Sequence, residues 1–343
     1  MNIRAQFPPE KIDSAFVWNG ADWQRAPSIW LHSLDAREVE ELTAGAKRFL
    51  DRGGLLADLT RDDIPLSSLQ NRIEALKQCL LKGPGARVLR GLDREALSPA
   101  EAAVAFYALG MHLGSPRSQN AAGDLLGHVR DVGARASNTQ TRIYQTSERQ
   151  TFHTDSADVV GLFCLQEAKA GGDSLLVSTV TIYNHMMRRR PDLARLLFDP
   201  IATDRRGEVP EGEKPYFEIP VFNWFAGELT GVYQRQYIDS AQRFEGAMRL
   251  TEQHIAALDL FDELANDPEL HFCMRLQPGD MQFVYNHALL HDRTGFVDFE
   301  QPEKKRHLYR LWLAMDDDRE LPPCFAQRFG QTTVGDRGGI LVK

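Results

Sequence analysis

In the stretch TFHTDSAD, residues 151–158, the imidazole of His153 stands two positions before the carboxylate of Asp155. Side chains at i and i+2 of an extended strand leave the same face of a sheet, so this pair could converge on one point above the backbone. A pair of this kind can hold a metal ion, orient a general base, or form a hydrogen-bonded couple on a sheet surface. His153 is the only one of the 10 histidines with an acid two places further on. Chance supplies about one such pair in a chain of this length, so the pair decides nothing alone.

Two later segments add to it. NHALLHDRTGF, 286–296, offers two more imidazoles, His287 and His291. Either one, brought to the same ion, would complete a set of two histidines and one carboxylate. That set suits non-haem ferrous iron, because it leaves coordination positions open for a co-substrate and O₂. RHLYRLWL, 306–313, places Arg306 and Arg310 four apart, on one face if the segment is extended. Inward guanidinium groups in an apolar strand are costly unless anions meet them. A dicarboxylate co-substrate would supply such an anion, at roughly 1.5–3 kcal/mol per charge-assisted hydrogen bond. The plainer reading has Arg306 capping a strand end and Arg310 paired with a structural aspartate. His287 and His291 also have HxxxH spacing, which on a helix could bind zinc in a hydrolase; that chemistry needs a glutamate after the first histidine, and Ala288 stands there.

The elements that would position these groups follow from the pattern. AREVEELTAGAKRFL (36–50) and SSLQNRIEALKQCLL (67–81) have helical periodicity and end at glycines. ARVLRGL (86–92) reads as a short strand, and 98–114 as a helix with Ser98 as N-cap and Glu101 as its capping-box partner. DVVGLFCLQEA (158–168) is a nearly continuous apolar run, as in a strand covered on both faces. DSLLVS (173–178) is another strand, followed by a helix, and RHLYRLWLAM (306–315) a late one. Gln277-Pro278-Gly279-Asp280 has the residues of a type II turn, with a reversing pair of strands expected around it. The aromatic run YFEIPVFNWF (216–225) is expected in the core, and 207–212 and 292–305 as loops. Short strands with helices mostly at the front predict a mixed α and β protein with a sandwich or jelly-roll core.

Composition bounds the classes of function. The 343 residues are 43% hydrophobic and 26% charged, an ordinary globular balance. A net charge of −8 argues against general nucleic-acid binding. The first 16 residues lack the apolar core of a secretory signal, and no apolar run approaches the roughly 20 residues of a membrane span. Cys79, Cys164, Cys273 and Cys324 are too dispersed for a metal knuckle and are expected as reduced, mostly buried thiols of a cytoplasmic protein. Oligomeric state is not legible.

HTD (153–155), GGDSLLVS (171–178), LLHDRTGF (289–296) and RHLYRLWL (306–313) occur in an order and spacing that resemble the TauD/TfdA-like Fe(II)/2-oxoglutarate dioxygenases. The resemblance spans roughly residues 86–316, and 138 positions separate its two histidines. It implies a double-stranded β-helix (jelly-roll) core with flanking helices: a dioxygenase domain over 86–343, with a mainly helical region, 1–85, packed on it. It further implies His153, Asp155 and His291 as iron ligands, His291 being preferred to His287 for its Leu290-His291-Asp292-Arg293 context. Arg306 matches the arginine that grips the far carboxylate of 2-oxoglutarate. Ser174, after GGD, takes the place of a threonine whose hydroxyl contacts that carboxylate. Arg310 matches an arginine that in some relatives reaches an acidic group of the substrate. Arg293 hints at the same anion, and Tyr144 and Gln145, on the approach to His153, are candidate pocket residues. The implied activity is oxidation, chiefly hydroxylation, of an unactivated C–H bond in a small carboxylate-bearing molecule, with Fe(II) bound and 2-oxoglutarate and O₂ consumed to succinate and CO₂. With Asp155 in place no halide site is open, which favours hydroxylation over halogenation. The cysteine- and histidine-rich zinc segment of the γ-butyrobetaine hydroxylases and the taurine-binding residues of the taurine enzymes are absent. The competing function is a catalytically inactive, cupin-like binding barrel.

Overall fold

A computed structural model of the chain describes residues 8–135 and 142–340. The strands that build the core are Leu31–Ser33 (β1), Ala86–Arg90 (β2), Ser115–Arg117 (β3), Leu126–Val129 (β4), Gln150–His153 (β5), Val159–Gln166 (β6), Ser174–Ser178 (β7), Phe272–Met274 (β8), Met281–Tyr285 (β9), Leu289–Arg293 (β10) and His307–Ala314 (β11). A seven-stranded sheet runs β1-β2-β9-β6-β11-β3, with β4 also pairing β11. A four-stranded sheet runs β8-β7-β10-β5. The chain passes from one sheet to the other at almost every turn, β5 to β6 to β7 and again β8 to β9 to β10 to β11. That alternation makes a double-stranded β-helix, and helices flank it.

β6 shows why a continuous apolar run can be a strand. Its Val160 and Leu162 face the gap between the sheets, while Phe163 meets Phe106 of the helix Pro99–Leu113 on the outer side, ring centroids 5.5 Å apart. Both faces are covered, so alternation is lost. That helix begins with the expected capping box: Glu101 N–H donates to Ser98 Oγ and Ser98 N–H to Glu101 Oε2. The helices Ala36–Asp51 and Gln70–Leu81 also form, and one apolar cluster runs without a break from Ile12 to Met315. Residues 31–33 extend the large sheet by parallel pairing with β2. Among the described residues no helix is long and apolar enough to cross a membrane. Residues 1–7, part of the stretch read for a leader, lie outside the described residues.

Three expectations need correction. The turn at 277–280 forms, with Asp280 N–H donating to Gln277 O at 2.9 Å and Gly279 at φ +95°. The strands around it are not partners, however: β8 pairs β7, and β9 pairs β2 and β6. Turn residues specify a reversal but not which strand receives the hydrogen bonds, and here the turn carries the chain between sheets. Secondly, β5 ends at His153, so Asp155 lies in the following loop and not on the same strand. Thirdly, Cys79 and Cys164 are buried, but Cys324 is half-buried and Cys273 exposed; all four are free thiols. In the aromatic run, Tyr216, Phe217 and Phe222 are buried as expected.

Candidate metal centre

Antiparallel pairing of β5 with β10 sets His153 directly opposite His291. Their ring centroids are 4.1 Å apart. Asp155 closes the group from the loop, with Oδ1 3.8 Å from His153 Nε2 and Oδ2 3.6 Å from His291 Nε2. One donor atom from each residue falls within 4.8 Å of the others. Two imidazoles and one carboxylate on one side of a point leave the other side open, as the iron set requires.

Neighbouring residues prepare this arrangement. His153 Nδ1 is 2.9 Å from Thr151 O, a partner that can only accept, so the proton sits on Nδ1 and Nε2 carries its lone pair toward the centre. Burial, reinforced by His291, pushes the His153 pKa down to about 3, so the ring is neutral and ligand-competent. Burial alone would raise the Asp155 carboxyl; Arg310, His291 and His153 outweigh it and hold the group well below the usual carboxylate range. Trp312 donates its indole N–H to Asp155 Oδ2 at 2.9 Å. Asn286 fixes the loop, accepting from Asp155 N–H at 2.9 Å and donating to the carbonyls of Asp155 and Ala157. Gln150 Nε2 lies 2.8 Å from His153 Nε2. Trp312, Asn286 and Gln150 carry no motif in the sequence. Only the inward position of Trp312, two after Arg310 on one strand face, could have flagged any of them.

From this centre a cleft of about 500 Å³ opens between the sheets. His153, Ser174 and His291 line it from the small sheet, and Leu162, Leu308 and Arg310 from the large one, with Arg306 at the foot of β11. Arg306 is 6% exposed, and its Nη1 has no hydrogen-bond partner among the described residues. No carboxylate among them lies within ion-pair distance of its guanidinium, and burial pulls its pKa down to about 10. A buried cation in this state calls for an anion. Ser174 Oγ, in the same cleft, donates to Gln282 Oε1 at 3.2 Å and can turn to a ligand.

The remaining candidates separate. Arg310 donates Nε to Gln119 Oε1 at 2.7 Å, stacks on Tyr144 and Trp312, and has Nη1 3.6 Å from Asp155 Oδ2. Tyr144 lines the cleft with it. Arg293 also reaches the cleft wall, but it donates Nη1 to Thr146 O at 2.9 Å and Nη2 to Glu148 O, which ties down the 146–148 segment. Gln145 is not among the residues lining the cleft. His287 is not brought to His291: it sits in the turn before β10 with Nε2 2.7 Å from Asp158 Oδ1, in a buried group with Asp318 that the Arg337 guanidinium fills. The HxxxH zinc reading fails because 286–288 is a turn, so no helix stacks the two rings.

Residues 52–312 match the family model described as taurine catabolism dioxygenase TauD, TfdA family. The chain belongs to this family of non-haem iron, 2-oxoglutarate-dependent dioxygenases. Among curated proteins it is 36% identical over 308 residues to FR-33289 synthase of Streptomyces rubellomurinus (strain ATCC 31215), covering 88% of this chain and 91% of that protein. Among solved structures it is similar to asparagine oxygenase in complex with Fe(II), 3-hydroxyasparagine and succinate, with a TM-score of 0.66 at 20% identity over 83% of this chain and 93% of the other. The non-haem iron oxygenase OrfP, in complex with Fe and α-ketoglutaric acid, aligns with a TM-score of 0.59 at 15% identity over 82% and 93%. At such identities the two structures support the fold.

Proposed function

We propose that the chain hydroxylates an unactivated C–H bond of a small, anionic substrate, with His153, Asp155 and His291 holding Fe(II). The observation that carries this reading is the joining of a two-histidine, one-carboxylate centre to a cleft whose far end holds a buried arginine without an anion. The donor set fits ferrous iron in number, chemistry and openness. Arg306 and Ser174 bind the far carboxylate of 2-oxoglutarate and so aim its keto acid end at the two histidines. Held there, ferrous iron with 2-oxoglutarate and O₂ would supply the oxidising power, with succinate and CO₂ as co-products. The protein's own part is orientation and dryness: Trp312 and Asn286 fix Asp155, and the sheet side chains Leu162 and Leu308 exclude water from the cleft. Tyr144 and Arg310 form the wall nearest the centre, where Arg310 orders Asp155 as much as it meets a ligand. Arg293 serves this site by anchoring the 146–148 segment. Four free thiols support a reducing, cytoplasmic setting.

Anaerobic addition of Fe(II) and then 2-oxoglutarate to the purified protein tests this. A weak visible charge-transfer band is expected, and succinate release on admitting O₂ with a panel of small acids. No band at saturating 2-oxoglutarate would favour the inactive binding barrel.

A further inference from the structure

A second cleft, of about 520 Å³, meets the same centre from the other side. Asp155 and Trp312 are in its wall, together with Arg142, Arg205 and Arg328. The arginines come from three separate segments: the loop before the turn at 143–145, the end of the strand Ile201–Asp204, and the short helix Ala326–Phe329. Their charges are unequally compensated. Arg142 is ion-paired with Glu208. Arg205 has only Glu213, at 3.8 Å and half exposed, and otherwise donates to the carbonyls of Lys214 and Gln327. Arg328 has no ion-pair partner among the described residues, and donates to Ser156 Oγ at 2.8 Å, Thr154 O at 2.7 Å and Thr154 Oγ1 at 3.4 Å. Those three bonds leave two of its five N–H groups free. Asp204, also in the wall, is committed to Ser240 and Arg243. The Phe217 ring holds the Arg205 and Arg328 guanidinium groups, at 5.6 and 5.4 Å from its centroid, so the pair is oriented before any ligand arrives.

We infer that this cleft takes the prime substrate by a tetrahedral oxyanion head, a phosphonate or phosphate group, held between Arg328 and Arg205 with Arg142 at its rim. The inference rests on the dioxygenase reading, in which Asp155 spends its charge on the metal and leaves Arg328 without a counter-charge. A guanidinium half-buried in a cleft wall and short of a counter-charge favours an anion beside it. A carboxylate presents two coplanar oxygens, which one guanidinium fork satisfies. Donors arriving from three segments suit three oxygens disposed around a tetrahedral atom. Ser156 Oγ and Gln234 in the same wall add polar groups to that end. A head anchored here leaves the rest of a small molecule beside Asp155, where the reacting carbon must lie.

Calorimetric titration of the full chain with methylphosphonate, methanesulfonate and acetate tests this, first metal-free and then with Fe(II) and 2-oxoglutarate under anaerobic conditions. Methylphosphonate is expected to bind at least about tenfold tighter than acetate, with methanesulfonate between them. Arg328→Gln and Arg205→Gln should each weaken methylphosphonate by about tenfold or more, the loss expected for a charge-assisted bond. Arg328→Lys should recover part of the loss, and the 2-oxoglutarate concentration that half-develops the charge-transfer band should move less than about twofold, since Arg306 lies in the other cleft. Arg205 bonds only carbonyls and an exposed acid, so its variant keeps the test sound if Arg328→Gln fails to fold. Equal affinity for acetate and methylphosphonate would overturn the tetrahedral class, and unchanged binding in both variants would overturn the site. A missing charge-transfer band would instead sink the dioxygenase reading, while the metal-free titration still decides the cleft.

Discussion

Asp155 does several things at once: it faces both histidines, accepts from Trp312 and lies near Arg310. Asp155→Ala should remove a ligand and a counter-charge together. The expected outcome is loss of substrate-coupled succinate formation and of tight Fe(II) binding; near-normal turnover would take Asp155 out of the ligand set. Arg306→Ala should raise the apparent KM for 2-oxoglutarate by roughly 10- to 100-fold, from the loss of about 1.5–3 kcal/mol of charge-assisted bonding. An unchanged KM would move the anchor, with Arg310 the first alternative. At this scale residue types alone offered His153, Asp155 and either His287 or His291, and the family resemblance of the surrounding motifs singled out His291, Arg306 and Ser174. Gln150, Asn286, Trp312 and Arg328 were silent, because an amide, an indole or a lone arginine carries no motif: the last three meet their partners more than a hundred positions away, and Gln150 meets His153 within its own strand.

Among the elements, the GGD turn before β7 links backbone shape to the site. Gly171 and Gly172 both have positive φ, +70° and +77°. A Cβ on Gly172 would come within 2.9 Å of Arg306 Nε. Gly172→Ala should therefore cost about 1–2 kcal/mol in stability from the left-handed backbone and also raise the KM for 2-oxoglutarate by displacing Arg306. A stability loss with KM unchanged would separate the turn from the anchor. Ser98→Ala, which removes a cap far from the centre, should cost about 1 kcal/mol and leave that KM alone. Helix boundaries were readable from caps and periodicity, and most strands from their apolar runs. Strand partnership was not: the 277–280 turn looks the same whether its flanks pair with each other or with different sheets.

For the molecule as a whole, acid sensitivity is set partly outside the centre. Burial, and then His128 beside it, push the His307 pKa down to about 4, against about 6.5 in an unfolded chain. Between those values the unfolded chain holds the extra proton, so this group's contribution is complete above pH 6.5 and lost as pH falls toward 4. His307→Gln should flatten stability over that window, measured by denaturant titration at several pH values; an identical pH slope would exclude His307 as the cause. Arg337, fully buried, bonds Asp158 Oδ1 at 2.7 Å and Asp318 Oδ2 at 2.8 Å. Arg337→Ala should cost about 3–5 kcal/mol, as when one partner leaves a buried ion group. Jelly-roll class was legible from strand spacing and order. The share of the early helices in one continuous core was less so, because burial depends on what the rest of the chain brings to them.

The bond between Arg337 and Asp158 spans 179 positions. On a ribosome adding roughly 5–20 residues per second, Asp158 would wait on the order of 10–30 s for its partner. Throughout that interval the strands around it have apolar faces and open edges. Newly made chain should therefore depend on chaperones that shield such surfaces, and refolding from denaturant should be slow and prone to aggregation, as topologies dominated by distant pairings are.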